Sequence, residues 1–151
     1  MHKAVKIGVG VALATAFATA AVAQTQAERA IKYRQAAFQV MAWNMGPMAA
    51  MVKGERPYDK DEFLKRATNI EHAAPLPWEA FGAGTDAGAP TKAKAEIWKD
   101  QAKFKQYADA LQAESVKLVA AAKVGNLDAV KGPFGAVGKA CSNCHDDFRA
   151  K

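Results

Sequence analysis

Several features are scarce in this sequence, and each scarcity argues against a class of protein. Only 2 cysteines and 3 histidines occur in 151 residues. Without His2 in the N-terminal segment, only Cys141, Cys144, His145 and His72 remain, which disfavours a zinc site because such a site needs about four ligands. Lysine and arginine produce a formal charge of +6, but they form no cluster with base-reading groups, so no nucleic-acid partner is expected. No apolar run reaches the roughly 20 residues of a membrane span, and no strand-like alternation or internal repeat stands out.

The N-terminal segment has the composition of a secretory signal peptide. Lys3 and Lys6 give it a positive start, and Ile7 to Ala20 is an apolar run rich in alanine and valine. Ala21-Val22-Ala23 then matches the small-residue cleavage pattern. We expect residues 1–23 to be removed on export to the periplasm, which leaves residues 24–151 as one domain.

Apolar residues recur at helical spacing in four later segments. Helices are predicted from about Gln26 to Val52, from Asp59 to Ala74, from Lys92 to Lys123, and from Leu127 towards the C-terminus. Spacings of three and four residues place the apolar side chains of each segment on one face. Mostly short turns join these helices, so the predicted fold is all-α, an antiparallel four-helix bundle.

One predicted connection is much longer than the others. It runs from Trp78 to Thr91 and contains three glycines and a proline. Loops beyond about 12 residues without structure of their own are usually functional or wrap around something.

The strongest chemical signal lies near the C-terminus, in Cys141-Ser142-Asn143-Cys144-His145. Cys-x-x-Cys-His is the attachment motif of c-type haem, in which two thiols bond to the porphyrin and the histidine binds iron. A thioredoxin-like redox pair usually accompanies a βαβ pattern, and no strand is predicted here. A Cys141–Cys144 disulfide would leave His145 unexplained. We predict one covalently attached haem c, held by Cys141 and Cys144, with His145 as the axial iron ligand.

The fourth predicted helix presents this motif on its apolar face. Its apolar positions alternate by three and four residues and include both cysteines: Leu127, Val130, Phe134, Val137, Cys141, Cys144 and Phe148. A haem bonded to this face must lie inside the bundle or against it.

A second protein ligand would make the iron centre mainly an electron carrier, so the candidates for that position matter. His72 lies off the apolar face of the second helix and is expected at the surface. Met41, Met45, Met48 and Met51 lie on the first helix. A methionine stripe at this spacing is more often core filling than a series of ligands, although any of the four could reach iron if the haem lay opposite its turn.

Several segments together resemble the cytochrome c′ family. They are the C-terminal haem motif of an exported helical chain, Lys32-Tyr33-Arg34-Gln35 in the first helix, Leu76-Pro77-Trp78-Glu79-Ala80-Phe81-Gly82 after the second, and Glu96-Ile97-Trp98 in the third. The resemblance covers essentially the whole chain after the signal segment. The haem motif is highly specific, and the other segments add weight in combination.

The resemblance implies a particular iron centre. In cytochromes c′ the histidine of the fourth helix is the only protein ligand, iron is five-coordinate, and an apolar residue of the first helix covers the open face. In low-spin relatives a methionine near the first-helix Arg-Gln pair takes that place. The matching position here holds Phe38, which cannot coordinate iron, so the resemblance implies the open-site branch. Phe38 is equally compatible with an ordinary core residue.

The resemblance also implies roles for residues around the haem. Arg34 and Gln35 match positions that contact the haem propionates, a role that suits the forked donors of arginine, and Lys94 is a weaker candidate of the same kind. Trp78 and Phe81 would cover the haem edge, or would simply anchor the loop.

Arg149 lies one helical turn after the motif histidine. The resemblance places it on the histidine side of the haem. A solvated arginine near the negative end of a helix is the other interpretation.

The function implied is binding of small diatomic gases, nitric oxide and carbon monoxide, with electron transfer to an unidentified redox partner as a further role. Family members commonly form homodimers through the first two helices. The alternative is a low-spin electron-transfer cytochrome with Met41 or another first-helix methionine as sixth ligand. An enzyme is the least favoured class, because a peroxidase needs a distal acid–base group and the inner face of the first helix offers no histidine or carboxylate.

Overall fold

The computed structural model describes residues 25–151, and the predicted signal segment lies outside the described residues. The α-helices are α1 Gln26–Val52, α2 Lys60–Ala73, α3 Glu96–Lys99, α4 Gln101–Val124 and α5 Leu127–Phe148, with a 3₁₀ helix at Leu76–Phe81. The four long helices pack in sequence, α1 on α2, α2 on α4, and α4 on α5. The predicted all-α four-helix bundle is confirmed.

Polar side chains fix where the long helices begin. The Asp59 carboxylate accepts the amides of Asp61 and Glu62 at 3.0 and 2.9 Å, as expected from an acidic residue at an N-cap. Asn126 Oδ1 accepts the Ala129 amide at 2.9 Å and opens α5 in the same way. The residue before it, Gly125, ends α4 with a φ of 82°, a left-handed conformation that glycine adopts without strain.

The third predicted helix is divided in two, and its predicted start at Lys92 is wrong. Asp100 leaves the helical region with φ −126° and ψ 64°, and its side chain accepts the Lys103 amide at 3.0 Å to open α4. The predicted apolar face is confirmed on both sides of this break, because its heptad positions are buried: Ile97, Phe104, Leu111 and Leu118.

The long connection also begins later than predicted. Trp78 and Phe81 belong to the 3₁₀ helix and not to a loop. Prolines at positions 75 and 77 suit this segment, since a fixed φ favours the first turn of a helix. The irregular part is residues 82–95, called the 82–95 loop below.

The apolar core has two parts. The larger cluster lies among the four long helices, and the smaller one lies where α4 begins and α5 ends, beneath the 3₁₀ helix. Phe38 and Trp78 pack against both clusters. Within residues 25–151, no helix is both long and apolar enough to cross a membrane.

Candidate functional site

Helix α5 places the two cysteines against the two apolar clusters. Cys141 packs against the larger cluster and Cys144 against the smaller one. Both thiols are partly buried and neither is in a disulfide. Val130 and Val137, earlier on the same face, are fully buried, which confirms the predicted orientation of this helix.

The thiols are in an environment that keeps them protonated. Burial raises the pKa of Cys141. Burial, with the charges of Cys141 and Asp147 as lesser causes, raises the pKa of Cys144 to about 11. Reactive redox cysteines instead have a lowered pKa near positive charge or a helix N-terminus. The environment therefore disfavours the thioredoxin-like alternative.

His145 follows directly and is accessible to solvent. Partial burial lowers its pKa, and the charge of Arg149 lowers it further, while Asp146 opposes the shift. A lowered pKa favours the neutral imidazole, which is the form that binds a metal. The side chain of Arg149 is exposed, and its backbone amide donates to His145 O at 3.1 Å. His72 is exposed, as expected.

An aromatic group surrounds the inner side of the motif. Phe38 contacts Trp78 and Phe81 at centroid distances of 5.7 and 6.4 Å. Phe104 lies 4.8 Å from Phe81 and 5.4 Å from Phe148, the last residue of α5. The structure thus brings the three predicted aromatic residues together and joins them to the helix that carries the cysteines.

Arg34 is buried, with 2% of its surface exposed, and holds the chain that follows α2. Its Nη1 donates to Ala80 O and Thr85 O, both at 2.9 Å, and its Nη2 donates to Thr91 Oγ1 at 3.3 Å. The guanidinium also lies over the rings of Phe81 and Trp98 at 4.3 and 5.5 Å. Burial lowers its pKa. The residue predicted to meet the haem propionates therefore also organises the 82–95 loop.

The other two polar candidates lie at the same end of the bundle. Gln35 is exposed, and its Nε2 donates to Pro90 O at 2.9 Å. Lys94 Nζ donates to the carbonyl oxygens of Asp146 and Asp147 at 3.3 and 3.0 Å. Both side chains tie the 82–95 loop to a neighbouring helix.

Sequence reasoning missed a polar cluster beside the motif. Asp147 Oδ2 accepts Tyr107 Oη at 2.5 Å and Lys103 Nζ at 2.8 Å. These bonds lower the pKa of Asp147 and raise that of Tyr107. Asp147 is only three residues after Cys144, but its partners lie about forty residues earlier on α4, a pairing that periodicity does not reveal.

The residues at this end of the bundle fit a haem c. Two free thiols and an imidazole lie within five consecutive positions of one helix, which is the donor set that haem c requires. The thiols adjoin apolar clusters that Phe38 and Trp78 join together. Helices α1 and α5 contact each other less than any of the neighbouring long helices do, and Phe38 on α1 and the cysteines on α5 adjoin the same clusters.

Comparison with known proteins agrees with this fit. The family model described as Cytochrome C′ matches residues 29–149. The chain is 45% identical to cytochrome c′ of Alcaligenes xylosoxydans xylosoxydans over 124 residues, which are 82% of this chain and 95% of that protein.

Solved structures give the same result. Cytochrome c prime from Shewanella frigidimarina superposes with a TM-score of 0.80 at 40% identity, covering 83% of this chain and 97% of that one. A nitric oxide complex of a variant of cytochrome c prime from Alcaligenes xylosoxidans superposes with a TM-score of 0.77 at 45% identity, covering 83% of this chain and 96% of that one. The chain therefore belongs to the cytochrome c′ family and is a haem c protein.

Proposed function

We propose that this protein is exported to the periplasm after removal of residues 1–23 and binds small diatomic gases at a five-coordinate iron. Cys141 and Cys144 attach the haem, His145 is the one protein ligand of iron, and Phe38 covers the opposite face. The haem, when bound, supplies a one-electron redox couple and an open position for a gas molecule. The remaining roles belong to the side chains around it.

The position of Phe38 is the observation that carries this proposal. Phe38 lies on α1 in edge contact with Trp78 and Phe81, and it packs against both clusters that the cysteines adjoin. A phenyl ring has no lone pair for iron. It therefore excludes water and leaves the position open to a ligand that can displace it.

An apolar cover also determines which ligands bind. Phe38 offers no hydrogen bond to polarised O₂, and every ligand must push the ring aside. Nitric oxide binds ferrous haem strongly enough to meet that steric cost, and carbon monoxide is expected to bind more weakly. The nitric oxide complex of the related Alcaligenes xylosoxidans variant supports this ligand class.

The propionates of the haem are proposed to meet Arg34 and Gln35. Arg34 donates through Nη1 to Ala80 O in the 3₁₀ helix and to Thr85 O in the 82–95 loop. Its Nη2 donates to Thr91 Oγ1, and the other N–H groups of this guanidinium are proposed to bind a carboxylate. Gln35 lies next to it at the surface. Trp78 and Phe81 would cover the edge of the haem that lies between the Arg34–Gln35 pair and α4.

A homodimer through α1 and α2 forms part of the proposal. On α1, Trp43 is 73% exposed and Val40, three residues earlier, is 48% exposed. Beside them a cleft of about 400 Å³ is lined by Trp43, Asn44, Glu62, Lys65, Arg66 and Asn69. A protruding ring next to a cleft on one face suits a two-fold interface, in which each copy fills the cleft of the other.

A second candidate function, a low-spin electron carrier, rests on Met41. This residue is buried in the larger cluster, against which Cys141 also packs. A thioether from Met41 would replace the open position with a sixth ligand and leave electron transfer as the function. Phe38 disfavours this alternative because it occupies the position that matches the ligand in low-spin relatives.

An enzymatic role is not proposed. The buried positions of α1 are Ile31, Arg34, Ala37, Met41, Asn44, Met48 and Met51. Among them is no histidine or carboxylate that could act as a general acid or base, and the Asn44 side chain donates to Val40 O and accepts from Asn69.

The test is an electron paramagnetic resonance and optical spectrum of the purified haem-loaded protein. High-spin ferric and ferrous states are expected for the wild type, and Phe38→Met is the matched variant in which a low-spin signal should appear. A low-spin wild type would overturn the proposal and favour the Met41-ligated carrier.

A further inference from the structure

The last turn of α5 is held by a residue of the 82–95 loop. Lys94 Nζ donates to Asp146 O and Asp147 O at 3.3 and 3.0 Å, and the Lys94 amide donates to Phe148 O at 3.0 Å. We propose that Lys94 is a positioning residue for the axial histidine, because it ends α5 directly after the motif and fixes the turn that carries His145. The proposal rests on the iron-binding role of His145.

The end of α5 needs such a partner. The last four carbonyl groups of an α-helix accept no hydrogen bond from within the helix. In α5 they belong to residues 145–148. The Arg149 amide takes the carbonyl of His145 at 3.1 Å. Within residues 25–151, the other three accept from Lys94, two from its ammonium group and the carbonyl of Phe148 from its backbone amide. The ammonium group lies at the negative end of the helix dipole, where a positive charge is favourable.

The same turn is held from a second side. The Ala150 amide donates to Lys92 O at 2.8 Å, so residues 92–94 run beside residues 148–150. On the α4 side, Asp147 accepts hydrogen bonds from Tyr107 and Lys103. The turn after His145 is therefore fixed between the 82–95 loop and α4, and a change at Lys94 acts on one of these two supports.

Two consequences follow for the iron centre. Residues that orient a ligating histidine tune the bound metal even though they do not touch it. The positive charge of Lys94, bonded to the two residues after His145, also favours the ferrous over the ferric state. Loss of Lys94 is expected to loosen the turn and to lower the reduction potential.

The experiment compares Lys94→Met with Lys92→Met in the haem-loaded protein. Lys92 is the matched control because it carries the same charge two residues away, and in residues 25–151 its hydrogen bond to the C-terminal residues is made by the backbone carbonyl to the Ala150 amide. Lys94→Met is expected to speed hydrogen exchange in the last turn of α5 by about ten- to a hundredfold, to lower the reduction potential and to change the high-spin resonance spectrum. Lys92→Met should change exchange little.

Two further variants separate the possible explanations. Lys94→Arg keeps a charged donor and should restore the wild-type rate of hydrogen exchange and the wild-type reduction potential. Lys94→Gln keeps a neutral donor and is measured in place of Lys94→Met if the methionine variant does not fold. Equal potential shifts in Lys94→Met and Lys92→Met would overturn the proposal, as would faster exchange with an unchanged spectrum and potential. A low-spin wild-type spectrum would instead contradict the proposed function, so the two failures are distinguishable.

Discussion

At position 38, a single side chain is proposed to set the chemistry of the haem site. Phe38 is held by edge contacts with Trp78 and Phe81, so displacing it disturbs a group of rings and not a single one. If Phe38 covers the iron as proposed, the barrier to ligand binding is a property of this group of rings.

Truncating this residue should expose the open position. Phe38→Ala removes the ring that a ligand has to displace, so carbon monoxide should bind the ferrous protein about tenfold faster or more. A tenfold change in rate corresponds to roughly 1.4 kcal/mol of activation free energy. Flash photolysis measures the rate. Phe38→Leu keeps an apolar cover and should change the rate less. An unchanged rate in the alanine variant would mean that Phe38 does not cover the site.

Arg34 gives a second prediction at this scale. Arg34→Met keeps the length of the side chain but leaves buried carbonyls of Ala80 and Thr85 without a donor, which should cost about 3 kcal/mol of unfolding free energy. Urea unfolding measures the loss, and proteolysis in the 82–95 loop should become faster. Gln35→Met, an exposed neighbour with one loop hydrogen bond, is the control and should cost no more than about 1 kcal/mol. Similar losses in the two variants would contradict the clamping role of Arg34.

The partners of Arg34 explain why the sequence predicted only part of the site. The cysteines and histidine occupy a local motif, and local spacing is visible in a sequence. The contacts of Arg34 reach residues 46 to 57 positions away, and nothing in the periodicity of α1 indicates them. The same holds for the bonds of Lys94 to the end of α5, while its expected contact with the propionates stays a prediction.

At the scale of elements, the long helices were predictable because their signals are local. The bounds of α1 and the N-caps Asp59 and Asn126 follow from spacing and from single residues. The break at Asp100 and the 3₁₀ helix after α2 were missed, because a short helix is stabilised by what it packs against more than by its own sequence. Both misses lie beside the aromatic group of the site.

Helix α2 has an ion-pair network with a definite pH dependence. The Glu62 carboxylate accepts hydrogen bonds from Arg56 and from Arg66, the latter at 2.7 Å. These bonds lower its pKa below the ordinary value of 4.5. A carboxyl whose pKa is lowered on folding stabilises the protein above the pKa of the unfolded chain, and the effect is lost as pH falls through the folded value.

Glu62→Gln should therefore reduce stability at neutral pH, and the difference from wild type should shrink as pH falls below about 4.5. Thermal unfolding across this pH range measures the difference. Glu55→Gln is the control, since its contact with Lys53 is 3.8 Å long and exposed, and such pairs contribute little. A difference from wild type that stays constant with pH would contradict the role of the network.

At the scale of the whole molecule, the exposed face of α1 predicts assembly. Trp43→Lys should convert the proposed dimer to a monomer, because a charged side chain cannot be buried against a second copy without a large cost. Sedimentation velocity measures the change. Val116→Lys on α4, where the wild-type valine is 54% exposed, is the control and should leave the dimer intact. A monomeric wild type, or a dimeric lysine variant at position 43, would contradict the proposed interface.

The 82–95 loop joins parts of the chain that are distant in sequence, and this sets the order of events in folding. It contacts the first turn of α1, where Gly88 lies beside Ala27, and it pairs with the last residues of the chain through Lys92 and Lys94. Contacts between residues far apart in sequence form late, because the chain loses conformational entropy when the long loop closes, before the contacts provide any stabilisation. The helices should therefore assemble first and the loop should dock last, which would leave the Cys-x-x-Cys-His motif accessible to haem attachment until the final step.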